Sequence, residues 1–230
     1  MASKADQDEG TRPQDKRLAD IMAAARRAIR AKGYENVRIA DIAKEADVVD
    51  GTVYRYFENK RDLLVRVTEA WFEENIAGDS GVSDIAGTRN KLRHLMRRLL
   101  IFVRKEPVLN RFVLMEMRPD PAFRASRAFA MNRRMTEEVS EVCRQAMASG
   151  EFRTDLPVAL VRDLIFGCLE HRIWAFLRGE GDFDVDEVAD GIATVICRGM
   201  AARSHGGADP LASATQRLTA LAARLEDLER

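Results

Sequence analysis

Cysteine, histidine and long apolar runs are all scarce in this 230-residue chain, and each scarcity removes a class of function. The three cysteines, Cys143, Cys168 and Cys197, lie far apart and show no metal-ligand spacing. They read as small buried hydrophobes in a reducing compartment, so the sequence predicts neither metal nor cofactor. Of the three histidines, His94 falls in an arginine-rich helix and His205 in a linker. His171 follows Glu170 directly, and neighbours in sequence do not share a helix face. No second Glu-x-x-His partner completes a di-iron set, so the chain is not expected to be an enzyme. The N-terminal "MASKADQDEGTRPQDK" lacks the apolar core of a signal peptide, and no apolar run reaches bilayer length. The expectation is a soluble, cytoplasmic protein with no membrane partner. Net charge is absent as well: 37 basic residues balance 37 acidic ones, so no whole-molecule field points at nucleic acid.

What is present is helical periodicity, with a 46% hydrophobic content that can supply a sizeable core. Residues 1–14 are polar and expected to be disordered. Leu18, Ile21, Met22, Ala25 and Ile29 then mark one face of a helix that Gly33 ends. Ile39, Ile42, Ala43 and Ala46 give a short second helix, "TVYRYF" a third, and Lys60 opens a long fourth carrying Leu63, Leu64, Val67 and Trp71. Further helices are expected at Leu92–Val103, Val108–Met117 and about 122–148, and then to about Arg178, with Asp155 as N-cap and Pro157 in the first turn. A last one carries Val188, Ala189, Ile192, Val195 and Ile196. No segment has a strand period, so the fold class is all-α. "RSHGGADP" (203–210) reads as a linker. Beyond it, Leu211, Leu218, Leu221, Leu225 and Leu228 fit a and d positions of a short coiled coil (211–230), or an amphipathic helix docked on its own chain.

The stretch "GTVYRYFENKRDLL" (51–64) crowds aromatic and basic side chains onto one turn. A short helix, a four-residue turn and a second short helix, braced by a long one, make a helix-turn-helix. Such a unit lays its second helix in the DNA major groove. Val53 and Phe57, at i and i+4, can anchor the inner face. Thr52, Arg55 and Tyr56 are then left for base edges and phosphates. Lys60 opens the next helix, where orphan N–H groups already favour a phosphate. Between Arg12 and Arg61, twelve basic side chains face eight acidic ones, a mild local excess.

"IADIAKEADVVDGTVYRYFENKRDLL" resembles the DNA-binding signature of the tetracycline-repressor (TetR) family. Ile42-Ala43, Gly51-Thr52-Val53-Tyr54, and Phe57 with Lys60 carry the likeness, over about residues 16–66 at motif level. The resemblance implies a three-helix DNA-binding domain (15–61) on a larger helical effector and dimerisation domain (62–202). It implies a homodimeric, ligand-responsive repressor on a pseudo-palindromic operator in double-stranded DNA, with Tyr54 and Lys60 as phosphate contacts and residues around Thr52 and Arg55 in the groove. The candidate DNA set is Arg38, Thr52, Val53, Tyr54, Arg55, Tyr56 and Lys60. Three positions depart from the family pattern. Asp47 stands where glycine is usual in the turn, and it tolerates the left-handed conformation better than most residues. Val49 replaces a capping serine, which passes the N-cap to Asp50. Arg38 replaces a threonine at the start of the second helix.

In the family the later helices hold the effector and the dimer contact. Phe102, Phe112, Met115, Phe129, Met131 and Met135 are candidates for a pocket suited to a small hydrophobic effector, or they are ordinary core. Nearby arginines, from Arg111 to Arg134, either hold an anionic head group or form a solvated face. Phe166, Gly167, Glu170, Trp174, Ile192 and Ile196 are the candidate homodimer interface. The helix around Gly167 is apolar nearly all round and must be covered on more than one side. It looks loosely like regulators responsive to a fatty acid or acyl-coenzyme A. The competing class is a helical scaffold working through its leucine tail.

Overall fold

The computed structural model describes residues 13–76 and 80–202; the expectations for the N-terminal tail, the 203–210 linker and the leucine helix lie outside these. Among the described residues the architecture is helical throughout, apart from one isolated antiparallel bridge, Phe152 with Ala201, that closes the end of the bundle. The order is α1 (Pro13–Asn36), α2 (Ile39–Glu45), α3 (Asp50–Tyr54), α4 (Lys60–Ile76), α5 (Thr88–Lys105), α6 (Pro107–Phe112), α7 (Arg127–Ala148), α8 (Val158–Leu177) and α9 (Val185–Met200). No helix among them is long and apolar enough to cross a membrane.

Gly33 breaks α1 at φ 80°, ψ 153°, a region that only glycine enters without strain. One further turn follows it. The Asn59 side chain starts α4 by accepting from the Asp62 N–H at 3.0 Å.

In the later helices three boundaries differ from the sequence expectation, each for a local reason. The helix after Pro107 changes pitch: Val113–Met117 is a π turn closed by Arg118 N–H on the Val113 carbonyl at 2.9 Å. The long helix does not start near Ala122. Pro121–Ala125 is a 3₁₀ turn, and α7 begins after Ser126, whose hydroxyl accepts from the Phe129 N–H at 3.1 Å. Asp155 does not cap α8; its carboxylate pairs with Arg153, and Pro157 is the N-cap.

Two apolar clusters hold the chain. The first joins α1–α4 to α6 and the π turn through Ile21, Val53, Phe57, Trp71, Phe102, Leu109 and Phe112. The second fills the bundle of α5, α7, α8 and α9 with Leu92, Met96, Val139, Ile165, Leu169 and Ala193. The N-terminal helices are therefore welded onto one end of the bundle, beside the π turn.

Candidate nucleic-acid interface and effector cavity

The turn between α2 and α3 follows from Asp47, the one non-glycine residue with positive φ (52°) among those described. Its left-handed backbone lets Val48 N–H reach the Ala43 carbonyl at 2.9 Å and Asp47 N–H reach that of Lys44 at 3.3 Å. These are the two bonds of a Schellman ending, so aspartate does the work of the usual glycine. α3 then starts with Val49 as N-cap, 73% exposed and without a side-chain bond. Asp50 is the first helical residue, not the cap, because the Thr52 N–H already bonds the Val49 carbonyl at 2.8 Å.

Of the candidate DNA set, Val53 is withdrawn. Its side chain has no exposure, and with Phe57 it anchors α3 to the core. Tyr54 is 56% exposed. Arg55 is exposed and donates to Thr52 Oγ1 at 3.3 Å, so the two groups stand side by side on the outer face. Tyr56 is half-buried against the core. Arg38 is exposed at the N-cap of α2, where its backbone N–H donates to Asp41 at 2.9 Å. Lys60 Nζ donates to the Glu35 carbonyl at 2.9 Å, tying the start of α4 to the end of α1. An open groove of about 620 Å³ runs along this face, and Gln14, Arg17 and Lys44 line it together with Thr52 and Arg55. Sequence reasoning had singled out none of the first three. Arg17 and Lys44 are 27 residues apart in the chain, and only packing of α1 on α2 brings them together.

A second concavity, of about 560 Å³, lies between α5, the π turn, α7 and α8. Three of the pocket candidates, Phe102, Phe129 and Met135, line it; Val113, Leu114, Phe166, Leu169 and Ile173 complete the apolar wall. The other pocket candidates are elsewhere. Phe112 packs on Tyr34 with ring centroids 5.2 Å apart, Met131 is buried in the first cluster, and Met115 is 51% exposed. Met115 stands on the face opposite Leu109, Val113 and Met117, which are buried at i, i+4 and i+8.

The same concavity carries charge. Arg118 pairs with Glu170 at 2.7 Å and Arg162 with Asp163 at 2.7 Å, while Glu137 is taken by Arg144 at 2.6 Å. Arg124 and Arg133 also line it, and neither has a carboxylate partner among the described residues. The site thus has an apolar wall and two uncommitted guanidinium groups.

The interface candidates divide in the same way. Phe166 and Glu170 line the concavity, with the Glu170 side chain still 39% exposed, and Ile196 is buried in the second cluster. Trp174 and Ile192 are half-buried. Gly167 is exposed, and a Cβ built there would meet nothing within 4 Å, so no close helix approach inside this chain requires it. The large apolar residues left in the open on these helices are Leu160 (43%), Leu164 (49%) and Val195 (69%).

Comparison with known proteins gives the family. Residues 21–67 match the family model for bacterial regulatory proteins of the tetR family, and residues 86–200 match the tetracyclin repressor-like C-terminal domain. The chain is 23% identical over 183 residues to the fatty acid metabolism regulator protein of Bacillus subtilis, covering 78% of this chain and 93% of that one. It is 35% identical over 103 residues to the repressor KstR of Mycolicibacterium smegmatis, 44% of this chain and 48% of that protein. Among solved structures, FadR of Bacillus subtilis in complex with stearoyl-CoA superposes with a TM-score of 0.67 at 22% identity, covering 80% of this chain and 99% of that one. The chain belongs to the TetR family of bacterial regulatory proteins, and it is a DNA-binding transcriptional regulator rather than an enzyme.

Proposed function

We propose that this regulator is a homodimeric repressor whose grip on a pseudo-palindromic operator changes when a fatty acid or acyl-coenzyme A enters the bundle. The observation that carries the reading is the make-up of the 560 Å³ concavity, an apolar wall beside the unpaired Arg124 and Arg133. A long apolar chain with an anionic end satisfies both halves at once. The regulators of fatty acid metabolism among its relatives support the same ligand class.

The cavity is mechanically joined to the DNA-binding unit. Arg61, next to Lys60 in the first turn of α4, donates to the Glu116 carbonyl at 3.2 Å and to Asp120 at 2.6 Å. Glu116 belongs to the π turn whose Val113 and Leu114 line the cavity. A ligand that moves this turn moves the start of α4, and with it the spacing of the two recognition helices in a dimer. The effect on DNA equals the ligand's differential affinity for the two arrangements. The open stripes on α8 and α9, which carry Leu164, Gly167 and Val195, supply a self-complementary surface for the dimer.

The test is operator selection from random-sequence DNA with the full chain, followed by a shift assay with and without palmitoyl-coenzyme A. A change in apparent affinity of about fivefold or more is expected. Tight acyl-coenzyme A binding with unchanged DNA affinity would refute the coupling, and absence of DNA binding would refute the reading.

A further inference from the structure

Behind the effector cavity lies a second, smaller one of about 160 Å³, on the α4 side of the gap between α5 and α7. Three residues line both: Leu99 and Phe102 on α5, and Met135 on α7. They are the wall the two spaces share. The three differ in how firmly they are held. The Phe102 ring lies parallel to Trp71 with centroids 3.9 Å apart and packs on Phe72 at 5.6 Å, so it is fixed by the core. Leu99 and Met135 are only half-buried, and a methionine with three rotatable bonds moves aside at little cost. Beyond them, Leu95 and Ile101 offer apolar surface, and Asn75, Lys105 and the Arg98–Glu138 pair, 3.3 Å apart, complete the lining.

We infer that Leu99 and Met135 form a yielding partition that sets how long an apolar chain the effector site accepts. The inference rests on the acyl reading of the main cavity. A chain filling that cavity ends against the partition, and further methylenes are buried only if it gives way into the smaller space. Each methylene buried is worth about 0.8 kcal/mol, roughly fourfold in affinity, whereas one left in water adds nothing.

The experiment is calorimetric titration of the full chain with saturated acyl-coenzyme A thioesters from octanoyl to stearoyl. Wild-type affinity should rise about fourfold per methylene and then level off. Met135→Ala and Leu99→Ala should move the levelling point to longer chains, and Met135→Trp to shorter ones. Thermal melting of each variant checks its fold, and the opposite shifts of small and large replacements separate a partition from general loosening. Loosening weakens every chain length by one factor and leaves the levelling point where it was; that result would overturn the partition alone. Wild-type protein that binds no member of the series would overturn the acyl reading and this inference with it.

Discussion

The buried carboxylate of Glu106 accepts a hydrogen bond from Arg30 Nε at 2.9 Å, bridging 76 residues of sequence. Arg26 Nε reaches the same carboxylate at 2.5 Å and its Nη1 goes on to Glu74 at 2.7 Å. Glu106 sits at the corner between α5 and α6, both arginines come from α1, and Glu74 belongs to α4. It is the one charged residue in the buried set among those described, where Thr68 and Ser140 are the other polar members. The corner is flanked by Val103 and Asn110, which line the 560 Å³ concavity. One carboxylate therefore pins the DNA-binding helices to the wall of the proposed effector cavity.

Removing that carboxylate should cost stability. Breaking a buried pair typically costs ~3–5 kcal/mol because the partner charge is stranded. Here Arg30 is half-exposed and Arg26 keeps Glu74, so both recover part of the loss. Glu106→Ala is expected to destabilise by about 2–4 kcal/mol. Glu106→Gln, which keeps the shape and one acceptor, should cost less. Urea denaturation of the three proteins gives the comparison, and equal midpoints would show that the arginines are not held by this group.

On the DNA face, side chains of different geometry should fail differently. Tyr54→Ala and Lys60→Ala are expected to weaken binding across all sequences, and loss of a Lys60 phosphate contact should lower the salt slope by about one. Arg17→Ala and Lys44→Ala belong to the same class, since both line the groove beside α3. Arg55→Ala should instead relax preference at one base pair, by ~1–3 kcal/mol of discrimination. Binding of every variant to a randomised operator library separates the two patterns; uniform behaviour of all five would remove the recognition role from α3.

Local chemistry was legible in the sequence, and long-range placement was not. Asp47 in a left-handed turn, Val53 and Phe57 facing inward, and Lys60 at a helix start all follow from spacing and backbone preference over a few residues. Met115 does not share the i, i+3, i+4 and i+8 spacing of the buried Leu109, Phe112, Val113 and Met117, and size and apolarity alone put it among the pocket candidates. α8 posed another problem. Being apolar nearly all round, it carries no clear pattern to say which side meets which neighbour. Val161, Ile165 and Leu169 face the core, Phe166 and Glu170 the cavity, and Leu160 and Leu164 the open. Arg17, Lys44 and the Glu106 cluster depend on helices meeting across tens of residues, and no periodicity reports that.

Acid should loosen the N-terminal helices and their attachment to the bundle through two carboxylates. Hydrogen bonding from Lys32, and then from the Arg38 N–H, holds Asp41 below the usual carboxylate range. Asp120 is held low by the Ala122 N–H and then by Arg61. Both folded-state pKa values lie below the unfolded one of about 3.9. Their stabilisation is therefore complete above that value and is lost as pH falls through the folded pKa. The thermal midpoint should be flat from about pH 5 upward and fall below about pH 4. Asp41→Asn is expected to lower the neutral-pH midpoint and shallow the acid limb. An acid limb as steep as wild type's would mean that other carboxylates carry it.

The dimer prediction sets two parts of the chain against each other. Val195 is 69% exposed and Leu164 49%, so a charge at either site disturbs little within its own subunit. Across a two-fold axis the same charge occurs twice in one buried patch, where unpaired carboxylates are costly. Val195→Asp and Leu164→Asp are each expected to weaken self-association by roughly a hundredfold, the equivalent of ~3 kcal/mol, while leaving the helical signal unchanged. Deletion of residues 205–230 should leave the dimer intact, since the α8 and α9 stripes remain. Sedimentation velocity on the three proteins decides the matter. If the truncated chain runs as a monomer and Val195→Asp as a dimer, the leucine-rich tail holds the subunits together and the open stripes must be covered by something else.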